Sequence, residues 1–166
     1  MLIDEKNLKA FGASRVFFKK SEMIYQKGSR PLFFYQIDEG RVAMQITNED
    51  LRECIIKVFS DGESFGEPAL LCDMPYPTDA IADTDVTLWR MDYVSFLSLL
   101  RSNFDAHFNL TKLLSQRLFY KTELINELSC HDAEHRIMQI IKFYFENHGD
   151  SDGEYIFPFT RAELAK

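Results

Sequence analysis

The chain has 166 residues, enough for one domain or one domain plus a fragment, and its 46% hydrophobic content, with fifteen Phe, supports an aromatic-rich core. It contains no apolar run near the 18 residues of a membrane span. Its acidic start, Leu2-Ile3-Asp4-Glu5, lacks the apolar stretch of a signal peptide, so a cytoplasmic protein is expected. The net charge of −7 argues against this segment being itself a nucleic-acid-binding surface, which needs a basic face, but does not bear on a DNA-binding unit elsewhere.

Residues 15–92 read as short strands separated by turns. Val16-Phe17-Phe18 runs into a Lys-Lys-Ser turn, and Met23-Ile24-Tyr25 into Gln26-Lys27-Gly28. Leu32 to Ile37 is apolar and aromatic and stops at Asp38-Glu39-Gly40. Val42, Met44 and Ile46 alternate with Ala43 and Gln45 before a hairpin turn at Thr47-Asn48-Glu49-Asp50. Ile55, Ile56, Val58 and Phe59 follow, and Ile81, Val86, Leu88 and Trp89 complete the strands. Many short strands with Gly or Asp turns predict an α+β chain built on a closed antiparallel β-roll of jelly-roll type.

The period then changes. Asp92 is the expected N-cap of a helix through Leu100. Asn103 or Asp105 opens a long helix to about Leu128, on which Thr111, Leu114, Leu118, Lys121, Ile125 and Leu128 are spaced 3, 4, 3, 4, 3. That spacing is a heptad seam, while Leu110, Leu113 and Leu124 mark a neighbouring face. A helix apolar on two faces has two partners to satisfy: its own roll, and the same helix of a second copy in a two-fold homodimer. A wide stripe packed only on its own domain is the alternative. A third helix is expected from Ala133 to about Asn147, then a loop, a short strand Tyr155–Phe159, and a helix opened by Thr160 with Glu163 three residues on, a capping box. A capped helix reaching only Lys166 suggests an N-terminal piece of a longer protein.

Few features suggest chemistry of other kinds. Cys54, Cys72 and Cys130 are far apart, with no CxxC or Cys/His metal spacing, and read as free thiols. No His-x-His lies in the strand region, where residues 1–106 hold no histidine, so the metal triad of a cupin-type enzyme is missing. No Walker loop or GxSxG is present either, and no enzymatic activity is expected.

Four stretches, in this order, resemble the cyclic-AMP receptor / FNR family of transcription regulators. Ile37-Asp38-Glu39-Gly40-Arg41-Val42 looks like the family's strand–Gly–Val turn, and Asp61-Gly62-Glu63-Ser64-Phe65-Gly66-Glu67 like its lead into the phosphate-binding cassette. Leu114–Leu118 followed by His131–Ile137, with Asp132 as the hinge aspartate, is similar to the long helix and what succeeds it. Thr160-Arg161-Ala162-Glu163-Leu164-Ala165 is similar to the opening of the winged helix-turn-helix. The resemblance implies an effector-binding roll over 1–102, a dimerisation helix over 103–130, and a hinge with the start of a DNA-binding winged helix over 131–166. It implies a homodimeric regulator that binds DNA and engages RNA polymerase. A cyclic-nucleotide module outside transcription is the second reading.

The same resemblance assigns the pocket. Gly66 and Glu67 hold the places of the glycine whose amide meets the cyclic phosphate and the glutamate that accepts from the ribose, with Pro68 and Ala69 next. Pro68 has no N–H to offer. Pro77 stands where the phosphate-binding arginine belongs, and Thr78 at the adjacent hydroxyl position. Losing one partner of a buried ion pair costs about 3–5 kcal/mol, roughly two to three and a half decades of affinity, which argues against cyclic AMP as the effector. An inward Asp79 would worsen the loss, and Arg41, Arg52 and Arg90 are the arginines that could repair it. Lys121, followed by Thr122, occupies the position where the family's long helix offers a hydroxyl to the base. It either snorkels out of the seam or helps to bind an anionic effector. Haem-based sensors of the family suggest haem as another effector, with His107, His131, His135, His148 and Met74 as the ligands to consider.

Overall fold

The computed structural model describes residues 2–47, 53–130 and 138, and of residues 53 and 127–130 the backbone only. The expected third helix, the Tyr155–Phe159 strand, the hinge at Asp132 and the Thr160 segment lie outside the described residues. The chain forms two compact units, Met1–Thr111 and Lys112–Lys166.

The first unit opens with α1 (Glu5–Ala10), capped by the Asp4 carboxylate, which accepts from the Asn7 backbone N–H at 2.8 Å. Eight strands follow: β1 (Ser14–Phe18), β2 (Met23–Tyr25), β3 (Phe33–Glu39), β4 (Val42–Thr47), β5 (Glu53–Phe59), β6 (Ser64–Phe65), β7 (Asp79–Ala82) and β8 (Val86–Asp92), with α2 (Glu67–Cys72) between β6 and β7. They make two four-stranded sheets, in the orders β1-β8-β3-β6 and β2-β7-β4-β5, and every pairing is antiparallel. This is the antiparallel roll that the strand pattern predicts.

Strand alternation builds two cores. Tyr35 and Ile37 of β3, Val86 and Leu88 of β8, Val42 of β4, Phe59 of β5, Phe65 of β6 and Ala80 and Ala82 of β7 point into the roll. The opposite face of the first sheet carries Phe34, Gln36, Trp89 and Met91, all buried. It is covered by the N-terminal segment and by α3 (Tyr93–Ser102): Phe34 stacks on Phe96 at 4.3 Å, and the Gln36 amide both accepts from the Ile3 N–H and donates to the Ile3 carbonyl at 2.9 Å.

Asp92 caps α3 as expected, accepting from the Ser95 N–H at 3.0 Å. Asn103 then caps α4 (Phe104–Cys130), its side-chain oxygen accepting from the Ala106 N–H at 3.0 Å. From Lys112 to Cys130 the second unit is the continuation of this 27-residue helix. None of the described helices is long and apolar enough to cross a membrane.

Candidate functional site

The short strand β6 delivers Phe65 into the core, and the chain then turns sharply at Gly66, whose φ of +79° lies in the left-handed region where glycine is unstrained. Gly66 is the N-cap of α2, in whose first turn Glu67 and Pro68 lie. Glu67 is fully buried and takes a hydrogen bond from the Ser64 hydroxyl. Ala69 is buried in the roll's core and Pro68 is exposed. The four positions that the resemblance assigns therefore form one turn, with Glu67 and Ala69 inside and Pro68 outside.

What faces that turn is aromatic. A side chain at Gly66 would meet Tyr76 Cε1 at 3.2 Å and Tyr25 Oη at 3.3 Å. Tyr76 lies flat on Tyr25, ring centroids 3.6 Å apart and planes 5° apart, and Tyr25 also packs against Phe65 at 6.0 Å and Tyr35 at 6.2 Å. Tyr35 in turn stacks on Phe65 at 5.5 Å. Tyr76 is held by its backbone, donating to the Ser29 carbonyl at 3.0 Å and accepting from the Gly28 N–H at 2.8 Å. Burial pushes the Tyr25 hydroxyl well above its ordinary pKa, with the Tyr76 and Glu67 charges adding to it. Tyr76 is raised in the same way, by burial and then by Tyr35 and Glu67. Both are neutral phenols under ordinary conditions.

Pro77 follows Tyr76 and is exposed, while Thr78 is buried. The hydroxyls of Tyr25 and Thr78 are buried and find no hydrogen-bond partner among the described residues. A buried, unpartnered hydroxyl is costly, so these two mark a place where a polar group would be stabilised. Asp79 does not aggravate the pocket: its carboxylate accepts from the Lys27 N–H at 2.7 Å and closes the turn after β2.

Of the arginines named as replacements for the missing one, Arg41 is exposed and paired with Asp83 at 2.9 Å, and Arg52 lies outside the described residues. Arg90 stands on β8 opposite Tyr35, on the face of the sheet that points into the roll. Its guanidinium lies 4.7 Å from the Phe33 ring centroid. Its charge lowers the Tyr35 pKa, partly offsetting the upward effect of burial. Of the three arginines named as able to repair the loss, Arg90 is therefore the one that faces the interior of the roll.

Sequence reasoning missed the tyrosines. The usable signal was Tyr76 itself, the one aromatic of its loop, set between Pro75 and Pro77, and Tyr25 as the last residue of its strand. Lys121 and Thr122 are both exposed on α4, where the Thr122 hydroxyl donates to the Leu118 carbonyl at 3.0 Å. Of the seam residues, Leu114 is half-buried, whereas Leu118 and Ile125 are exposed. His107 and Met74 are exposed; His131, His135 and His148 lie outside the described residues. Among the described residues no cluster of His, Cys, Asp and Glu suits a metal ion.

The family model for the cyclic nucleotide-binding domain matches residues 15–103, which takes in the eight strands, α2 and α3. A curated relative, the cAMP-dependent protein kinase regulatory subunit of Candida albicans, is 32% identical over 114 residues; the match takes in 69% of this chain and 23% of that protein, so the chain spans about a quarter of the relative's length. Among solved structures, the Thermus thermophilus catabolite activator protein superposes with a TM-score of 0.70 at 21% identity, over 98% of this chain and 76% of that one. The c-di-GMP responsive global regulator CLP of Xanthomonas campestris does so with a TM-score of 0.72 at 19% identity, over 98% and 83%. At these identities the structural likeness speaks for the fold alone.

Proposed function

The chain belongs to the cyclic nucleotide-binding domain family, and from that premise we propose that it is the effector-sensing part of a homodimeric DNA-binding transcription regulator whose effector is not cyclic AMP. The observation that carries the effector half of this reading is the Tyr25–Tyr76 stack against Gly66 with Pro77 beside it. The turn that would receive a cyclic phosphate is packed with neutral rings, and the loop position that would supply its counter-charge holds an exposed proline. A phosphate brought there would lose water and gain no ion pair at that position.

The regulator half rests on the run from roll to long helix, which matches a catabolite activator protein over 98% of the chain, and on the apolar residues Leu118 and Ile125 left exposed on α4. A second copy of α4 would cover the seam Leu114, Leu118, Lys121, Ile125 and Leu128 and form the two-fold dimer that reads paired half-sites. DNA and RNA polymerase are the partners of this reading.

The test is a selection of genomic fragments by the full-length gene product, together with its mass in solution. Enriched fragments containing a two-fold repeat, bound by a dimer, support the regulator. A monomer that enriches no fragment overturns it and favours a cyclic-nucleotide module outside transcription, the reading suggested by the 32% identity to a kinase regulatory subunit. A thermal shift with cyclic AMP, cyclic GMP and haem tests the effector, since a ligand bound only by the folded state raises its stability.

A further inference from the structure

Three basic residues lie within the described strands: Arg15, Lys57 and Arg90. Arg15 is paired with Asp38, and Lys57 with Glu63 at 3.3 Å. Arg90 has no carboxylate within ion-pair distance among the described residues; it is half-buried and lies over the Phe33 ring. Withdrawing a guanidinium from water without an anion is unfavourable, and an aromatic face offsets only part of that cost.

Its placement gives this charge a role. Ser14, Arg90, Tyr35 and Phe65 form one row across the first sheet, each opposite the next in register. Residues opposite one another on paired strands point to the same face, and Tyr35 and Phe65 belong to the core inside the roll, so Arg90 faces that interior too. Two strand spacings, about 10 Å, separate Arg90 from Phe65, which leads directly into Gly66. At that end of the row lies Tyr25, whose buried hydroxyl lacks a partner. The arrangement is a row of aromatic rings with a free cation at one end and an unsatisfied hydroxyl at the other, about the length of a nucleotide-sized molecule.

We propose that Arg90 is the anion-binding residue of this roll, taking the phosphate or carboxylate of an aromatic effector that extends along the Tyr35–Phe65 row toward Gly66. The charged end of the ligand then sits at β8, two strands from the cassette turn. This assignment rests on reading the interior of the roll as the effector site. The oxyanion accepts from the guanidinium edge while the Phe33 ring holds the guanidinium plane, and the ligand's ring finds Tyr35.

The experiment titrates the full-length protein with two fluorescent probes of similar shape, the anionic anilinonaphthalene sulfonate and the neutral N-phenylnaphthylamine. Both are expected to bind, and Arg90→Gln should weaken the anionic probe about tenfold or more, as loss of a charge-assisted contact does, while leaving the neutral one unchanged. Arg90→Lys should keep most of the anionic binding, and Arg41→Gln should change neither. Adenosine monophosphate or naphthoate should displace the anionic probe, and whichever does so tells a phosphate ligand from a carboxylate.

An Arg90→Gln protein that binds the anionic probe as before overturns the assignment but leaves the effector site standing if the neutral probe still binds. Equal loss of both probes makes Arg90 a packing residue and also overturns it, as does displacement by neither competitor. Failure of the unaltered protein to bind either probe removes the effector site itself.

Discussion

Tyr76 lies flat on Tyr25, 3.6 Å between ring centroids, and the two rings fill the space that a side chain at Gly66 would enter. This makes Gly66 doubly constrained, by its φ of +79° and by its neighbours. A left-handed conformation costs a non-glycine residue about 1–2 kcal/mol, and overpacking adds about 1 kcal/mol or more, so Gly66→Ala should destabilise the domain by about 2–3 kcal/mol. Gly12 provides the control: its φ is +80°, but nothing lies within 4 Å of an added Cβ. Gly12→Ala should show only the backbone cost of about 1–2 kcal/mol. Urea denaturation of both variants measures the difference, and equal losses would mean that the tyrosine stack gives way freely.

The stack also sets what is needed to restore a cyclic-nucleotide site. Pro77→Arg supplies a cation but leaves the Tyr76 ring against the turn, so by itself it should give no cyclic AMP binding. Tyr76→Ala with Pro77→Arg removes the obstruction as well. That double variant should gain a thermal shift with millimolar cyclic AMP, whereas the unaltered protein shows none. A shift in the unaltered protein would show that the rings move aside on their own.

These two residues also mark where sequence reading stops. The strands were legible because Val42, Met44 and Ile46 alternate with Ala43 and Gln45, and α3 because Asp92 opens an apolar period. The helices α1 and α2 are six residues each, too short to show a period, and α2 is named only by its resemblance to a cassette. Gly66, Glu67 and Pro77 were singled out through the resemblance of residues 61–67 to the family's cassette. The pairing of Tyr25 with Tyr76 could not be, because it depends on β2 and β7, far apart in the chain, lying side by side in one sheet. The same holds for Arg90, whose sequence position reveals neither which face of β8 it occupies nor its lack of a carboxylate.

The raised pKa values of Tyr25 and Tyr76 predict loss of stability in alkali. In the unfolded chain both phenols ionise near pH 10, while in the folded protein burial keeps them protonated to higher pH. Above pH 10 the unfolded state therefore binds fewer protons than the native state, and stability falls as pH rises, by up to about 1.4 kcal/mol per pH unit for each tyrosine. Below pH 10 their contribution is constant. Denaturation at pH 8–11 should show this break. Tyr76→Phe should reduce the slope above it, with Tyr25 and Tyr35, also raised by burial, supplying the remainder, whereas an unchanged slope would place the effect elsewhere.

Gln36 joins the roll to its N-terminal segment. It is fully buried, and its amide satisfies both the N–H and the carbonyl of Ile3. Gln36→Leu keeps the approximate volume but strands two backbone groups that are otherwise paired. At about 1–3 kcal/mol for each buried unsatisfied group, the variant should lose about 2–6 kcal/mol, with the local loss seen first as faster hydrogen exchange at Ile3 and along α1. Protection there equal to that of the unaltered protein would show that the apolar contacts of Ile3 and Leu8 hold the segment without it.

On α4, Leu118 and Ile125 are 67% and 61% exposed, and the heptad spacing puts them on one seam with Lys121 between them. If a second α4 covers this seam, Leu118→Asp with Ile125→Asp places four carboxylates in the interface of each dimer. Association should then be lost in sedimentation equilibrium without unfolding the roll, whose denaturation midpoint should stay within about 0.5 kcal/mol of the unaltered protein, as expected for exposed sites. Lys121→Ala distinguishes the two roles considered for that residue. A lysine that only snorkels from the seam leaves effector affinity unchanged when truncated, while one that meets an anionic effector lowers it. Weaker binding by Lys121→Ala with the dimer intact would bring both subunits' helices into the effector site; unchanged binding would leave Arg90 as the cation to which the roll's ligand owes its charge preference.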